Sequence, residues 1–216
     1  MSTNPQQATA RLLFVCTGNV CRSAAAERLL SAWTADSNER VEVRSAGTQA
    51  RPGRPMHPRT ERALARHGVE AGGFTSRRLS DADVDWADLV LTMTGEHRDE
   101  VAGISPRGLQ KVFTVMEAAA LGQTLGPDWS RNHASPAGAA LAQTLRDARA
   151  RFARARGTEF DVADPIEGSS RVHAEAVDQI AAALEIVVPL LVGSGAPGDD
   201  TIRMPRLPPV PRPFPR

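Results

Sequence analysis

Short apolar runs alternate along this chain with longer stretches in which apolar positions recur every three or four residues. Four runs read as strands: Arg11 to Val15, Val41 to Ser45, Leu89 to Met93 and Lys111 to Val115. Helical spacing falls between and after them, over Ser23 to Trp33, Pro58 to Arg66, Gly95 to Ala102, Ala137 to Arg156 and Ser170 to Leu191. In the last of these, Val172, Ala176, Val177, Ile180, Leu184, Val187 and Leu191 form a single apolar face, suited to lie on a sheet. Alternation of this kind predicts an α/β fold, a small doubly wound parallel sheet of about four strands flanked by helices. Such sheets bind ligands beyond the carboxyl ends of their strands, so the end of the first strand is the place to look.

Both ends of the chain break the pattern. Residues 1–10 are polar and read as a disordered N-terminal tail. Residues 193–216 hold seven of the sixteen prolines and read as a Pro-rich disordered tail, with polyproline II as its natural state and docking to a partner's groove as one use. The domain is expected over 11–192, with an extra helical segment near 122–157 and no internal repeat. The arginines of that segment, Arg146, Arg149, Arg151, Arg154 and Arg156, read as a solvated charged face, docking to an acidic partner being the alternative.

Composition narrows the function. A hydrophobic content of 41% supports a packed core. With 26 Lys+Arg against 25 Asp+Glu, the net charge of +1 provides no global field for nucleic acid or a membrane surface. The longest apolar run, near Leu184 to Val192, contains Pro189 and falls short of the roughly 20 residues of a membrane span. The first ten residues have no basic region and lead into Leu12-Leu13-Phe14-Val15, too short for a signal's apolar stretch, so a cytoplasmic location is expected. There the two cysteines, Cys16 and Cys21, read as reactive thiols rather than a bridge.

Both cysteines fall in one motif, Cys16-Thr17-Gly18-Asn19-Val20-Cys21-Arg22-Ser23, between the first strand and a helix. Five residues between a cysteine and an arginine let the backbone bend around a tetrahedral dianion, its N–H groups inward and a helix N-terminus behind. Arg22 offers a planar fork for two phosphate oxygens. Gly18 and Asn19 are residue types that tolerate left-handed φ. A free thiol is only a few per cent ionised at neutral pH, and a helix terminus contributes only about 0.3–2 kcal/mol to a thiolate. The N–H groups, Arg22 and a Ser23 hydroxyl must therefore act together with it. Phosphoryl transfer to Cys16 also needs an acid for the leaving oxygen and then a base for water. Asp164, held before Pro165 on a stiff loop ahead of the last helix, is the candidate, with Asp161 in reserve. A zinc site needs three or four ligands. His57, His67, His97, His133 and His173 are scattered, so no metal is expected.

The stretch Val15 to Ser23, Ser45-Ala46-Gly47-Thr48, His67-Gly68, Ser76-Arg77-Arg78-Leu79 and Asp164-Pro165, in that order, resembles the low-molecular-weight protein tyrosine phosphatases. The resemblance covers most of Arg11 to Val192. It implies a cysteine-dependent phosphomonoesterase acting on phosphorylated protein through a phosphocysteine intermediate, without a cofactor. By that resemblance Cys16 is the nucleophile, Arg22 the phosphate binder and Asp164 the general acid and base. Thr17, Gly18, Asn19, Val20, Cys21 and Ser23 line the phosphate, and Asn19, Ser23 and Ser45 form the network that shapes the loop. Cys21 matches a second loop cysteine that can pair reversibly with the nucleophile; a small apolar core residue is the alternative.

Departures from the family pattern bear on substrate. Ile166 stands where an aromatic commonly follows Asp-Pro, and Gln49 to Pro58 holds no aromatic, so the walls for a phenyl ring are thin. Phe74 replaces a histidine that braces the loop asparagine, Thr94 an aspartate after Met93, and Ala24 a proline. With no tyrosine anywhere, tuning by phosphorylation beside Asp-Pro has no acceptor here. Phosphotyrosine is the expected substrate. Phosphoarginine on the same scaffold, where a threonine is favoured in place of Val20, and a catalytically weak phosphate-binding module are the alternatives. Arsenate reduction lacks its downstream cysteines.

Overall fold

The computed structural model describes residues 9–37, 40–125, 137–151 and 160–192. The tails expected at the two ends, and Arg154 and Arg156, lie outside the described residues apart from residues 9 and 10. The elements run β1 (Ala10–Cys16), α1 (Arg22–Thr34), β2 (Val41–Gly47), α2 (Pro58–Ala65), α3 (Asp81–Trp86), β3 (Leu89–Thr92), α4 (Gly95–Ile104), a 3-10 turn (Pro106–Lys111), β4 (Val112–Thr114), α5 (Val115–Leu125), α6 (Ala137–Arg151) and α7 (Ser170–Val192). The four strands are all parallel, in the order β2-β1-β3-β4. The chain leaves β1 toward β2 on one side and later returns to β3 on the other, so a crevice opens at the carboxyl end of β1.

Both faces of the sheet are covered. Along β1 the side chains alternate: Leu12 and Phe14 join the cluster under α1, α5, α6 and α7, while Leu13 and Val15 join Val84 and Val101 under α3 and α4. A strand buried on both faces reads as an unbroken apolar run, which is what residues 12–15 are. Helix α7 buries Val177, Ile180, Leu184, Val187 and Leu191 from the expected stripe. Val172 is only half-buried.

Two helices had no counterpart in the periodicity. Helix α3 is short and rich in aspartate; its signal is local, a capping box in which Ser80 and Asp83 satisfy each other's backbone N–H. Helix α5 starts where β4 ends and buries Val115 to Gly122 except Met116, so it has no polar face to reveal a helical period. The expected strand Lys111 to Val115 is accordingly shortened to three residues, Lys111 closing the 3-10 turn and Val115 opening α5.

Helix α6 also corrects an expectation. Its Leu141, Ala142, Leu145 and Ala148 are buried, and Arg149 does not belong to a solvated face. Its Nε and one Nη donate to the two carboxylate oxygens of buried Glu117 at 2.7 Å each. The guanidinium also lies 3.8 Å from the ring centroid of Phe113. This two-bonded pair fastens α6 to α5. Arg146 bonds Gln110, and Arg151 is exposed. Among the described residues no helix is long and apolar enough to cross a membrane.

Candidate active site

The loop between β1 and α1 curls around the Cys16 sulfur. The Asn19 backbone N–H donates to Sγ at 3.3 Å, and Ser23 Oγ stands 2.9 Å from it. Asn19 carries the strain of this curl at φ +53°, the only non-glycine residue with positive φ among the described residues. Gly18 lies outside the left-handed region, contrary to expectation, so the turn is made by Asn19 alone.

Asn19 holds that conformation because its amide is bonded at every end. Its Nδ2 donates to Ser23 Oγ at 2.9 Å and Ser45 Oγ at 2.8 Å, and its Oδ1 accepts the Arg77 backbone N–H at 2.9 Å. Ser45 in turn donates to Glu27 Oε2 at 2.6 Å. Ser23 Oγ accepts from Asn19 and stands 2.9 Å from the Cys16 sulfur and 3.5 Å from the Ala46 carbonyl, so its single proton can serve a thiolate at the shorter contact. A relay from Glu27 to Cys16 thus braces the loop without the histidine that Phe74 replaces. Glu27 lies one helical turn beyond Ser23, a spacing legible in the sequence but not used.

Helix α1 begins without a side-chain cap at Cys21 and without an acidic residue in its first turn. Its leading N–H groups and positive end are left for an anion. Buried Arg22 donates from Nη1 to the Val162 carbonyl at 2.9 Å and pairs through Nη2 with Asp164 Oδ2 at 2.8 Å. Asp164 arrives by tertiary pairing: Val162 N–H bonds the Met93 carbonyl, which lays this segment along the end of β3. Asp164 Oδ1 accepts the Ile166 backbone N–H at 3.2 Å, so one oxygen is anchored and the other faces Arg22. Asp161, the reserve acid, instead accepts the Gly95 N–H at 2.8 Å at the start of α4. A cleft of about 130 Å³ is bounded by residues 16–22, Asp164 and Ile166, and among the described residues no aromatic side chain lines it.

His97 is a site residue that the sequence reading missed. Its ring bridges Thr17 Oγ1 at 2.8 Å and Thr94 Oγ1 at 2.7 Å, tying the loop to the N-terminus of α4, which Thr94 caps. Burial, and then the Arg22 charge, push its pKa down to about 4, so at neutral pH it is an uncharged brace. No local signal marks it. Cys21 is buried, and its burial pushes the thiol up to about 11.

The sequence profile of low molecular weight phosphotyrosine protein phosphatases matches residues 11–121, which carry β1, the loop and the strands that follow. The chain belongs to this family. A protein-arginine-phosphatase of Geobacillus stearothermophilus is 30% identical over 170 residues, spanning 79% of this chain and 88% of the relative. A probable low molecular weight protein-tyrosine-phosphatase of Ralstonia nicotianae is 35% identical over 106 residues, 49% of this chain and 70% of the relative. The crystal structure of the low molecular weight protein tyrosine phosphatase from T. tengcongensis shares the fold, with a TM-score of 0.61 at 24% identity over 83% of this chain and 97% of that one.

Proposed function

We propose that the chain hydrolyses phosphoprotein monoesters with Cys16 as nucleophile, Arg22 as phosphate clamp and Asp164 as acid and base. The observation that carries this reading is the 2.8 Å Arg22–Asp164 pair, which puts a carboxylate across the same cleft that has the Cys16 sulfur in its loop. Every donor to that sulfur bonds a thiolate more strongly than a thiol. An entering phosphoryl group takes the Arg22 fork from Asp164 and leaves the carboxyl, 44% exposed, beside the leaving oxygen.

Chemistry then proceeds in two displacements. The sulfur bonds phosphorus as the ester P–O bond breaks, and Asp164 gives its proton to the departing oxygen. Water next attacks the phosphocysteine, loses its proton to Asp164, and inorganic phosphate leaves with the thiolate restored. Charge on the transferring group is met by the loop N–H groups, Arg22 and the α1 N-terminus. Thr17, Gly18, Val20 and Cys21 contribute the rest of the phosphate loop.

The protein substrate is read as phosphotyrosine, with apolar Val20 at the cleft. The mouth, walled among the described residues by Ile166 rather than a ring, and the similarity to a protein-arginine-phosphatase support a second reading, phosphoarginine. Rates on matched phosphotyrosine and phosphoarginine peptides separate the two. Cys16→Ser is expected to abolish turnover of an aryl phosphate. Asp164→Ala is expected to slow it by about 10²–10⁴-fold while phosphate analogues still bind. Full activity in either variant refutes the role given to that residue, and tight phosphate binding without turnover in the unaltered chain would favour a binding module.

A further inference from the structure

Nothing in their spacing groups Cys21, His57 and His173, yet the fold brings one donor atom of each within 4.8 Å of the other two. Cys21 closes the phosphate loop, His57 is the N-cap of α2, and His173 sits in the first turn of α7. We propose that these three side chains form a binding site for a divalent transition-metal ion of the zinc class.

The free nitrogen of His173 is the independent observation. Its Nδ1 is paired with Thr60 Oγ1 at 2.8 Å, while Nε2 is buried with no partner among the described residues. In the metal-binding form His173 Nδ1–H donates to Thr60 Oγ1. That sets the tautomer whose Nε2 lone pair is open to a metal, with Thr60 as the outer partner. A buried polar atom without a hydrogen bond is costly, and an ion is one group that satisfies it.

One sulfur and two imidazole nitrogens suit Zn²⁺, with water or another small ligand completing a four-coordinate shell. Cys21 enters as a neutral thiol. On binding, the S–H bond is exchanged for an S–metal bond and the proton leaves to solvent, with no change of oxidation state. The His57 and His173 rings now lie near parallel, 16° apart with centroids at 4.5 Å. An ion must lie in the plane of each ring it binds, so half-buried His57 turns as the ion enters. Its present tie is one 3.2 Å bond from the Arg59 N–H to Nδ1. Occupancy would fasten the end of the phosphate loop to α2 and α7 and hold the Cys21 sulfur away from any pairing with Cys16.

The test uses Co²⁺ as the probe, titrated without oxygen into the full chain carrying Cys16→Ser, so that Cys21 is the sole thiol. One equivalent is expected to give a sulfur-to-cobalt charge-transfer band. Adding Cys21→Ser abolishes it, and adding His57→Gln or His173→Gln weakens binding by about tenfold or more. His57 is half-buried at the surface, so His57→Gln is the variant that keeps its fold, checked by far-ultraviolet circular dichroism. Absence of the band in the Cys16→Ser chain, or a band whose midpoint His57→Gln leaves unchanged, overturns the proposal.

Discussion

Gly47 ends β2 at the same level as Cys16 ends β1, and the two are partners in the sheet. A methyl group at Gly47 would lie 2.5 Å from the Thr17 carbonyl oxygen, 2.8 Å from Ala50 Cβ and 2.9 Å from the Asn19 backbone nitrogen. Two of these three neighbours are backbone atoms of the phosphate loop, so no rotamer change relieves the clash. Ordinary contact begins near 3.4 Å, and reaching it moves the loop by somewhat under about 1 Å. Gly47→Ala is therefore expected to cost about 1–3 kcal/mol in stability. Because Asn19 both donates to the Cys16 sulfur and anchors the Ser23–Ser45 network, the displacement reaches Cys16, the proposed nucleophile. A misplacement of this size is worth about 10²-fold in rate. Urea denaturation and kcat/KM on an aryl phosphate measure the two effects. The control is Gly103→Ala on α4, where nothing lies within 4 Å and helix propensity predicts a gain of about 0.5–1 kcal/mol with unchanged activity. Wild-type kcat/KM in Gly47→Ala would refute the claim that this close approach sets the loop.

His97 predicts a pH dependence of stability. Its folded pKa of about 4 lies below its ordinary 6.5, so the unfolded chain binds the extra proton between these values. The contribution is complete above about pH 6.5 and is lost as pH falls toward about 4, roughly 2 kcal/mol after allowing for partial solvent access. Unfolding free energies measured across that range should fall more for the wild type than for His97→Asn, and equal slopes would refute it. Arg149→Met leaves the buried Glu117 carboxylate unpaired and should cost about 2–4 kcal/mol, most of it recovered by adding Glu117→Gln; thermal melts of the single and double variants decide this. Ser45→Ala removes an acceptor from Asn19 and a donor to Glu27, and is expected to lower kcat by about tenfold with a smaller change in KM.

Much of the fold was legible because β1 is apolar on both faces and α7 carries a continuous stripe, patterns that survive in a one-dimensional reading. Helix α5 was not, since an element buried on nearly all sides loses its period. Arg149 was misassigned for a related reason: charge alone does not reveal that a buried glutamate on another helix awaits it.

The sequence by itself determined the phosphate loop. Cys16 to Ser23 are contiguous, and the strand before them and helix after them are local consequences of residue pattern. Tertiary structure decided what meets that loop. Asp164 reaches Arg22 only because residues 161–164 run beside the end of β3, and the Glu27–Ser45–Asn19–Ser23 relay forms only because β2 pairs with β1. His97, and the grouping of His57 and His173 with Cys21, are likewise products of packing. Hydrogen bonds and metal ligation act over about 2–3 Å, and contacts at that range between residues far apart in the chain leave no periodic trace in it.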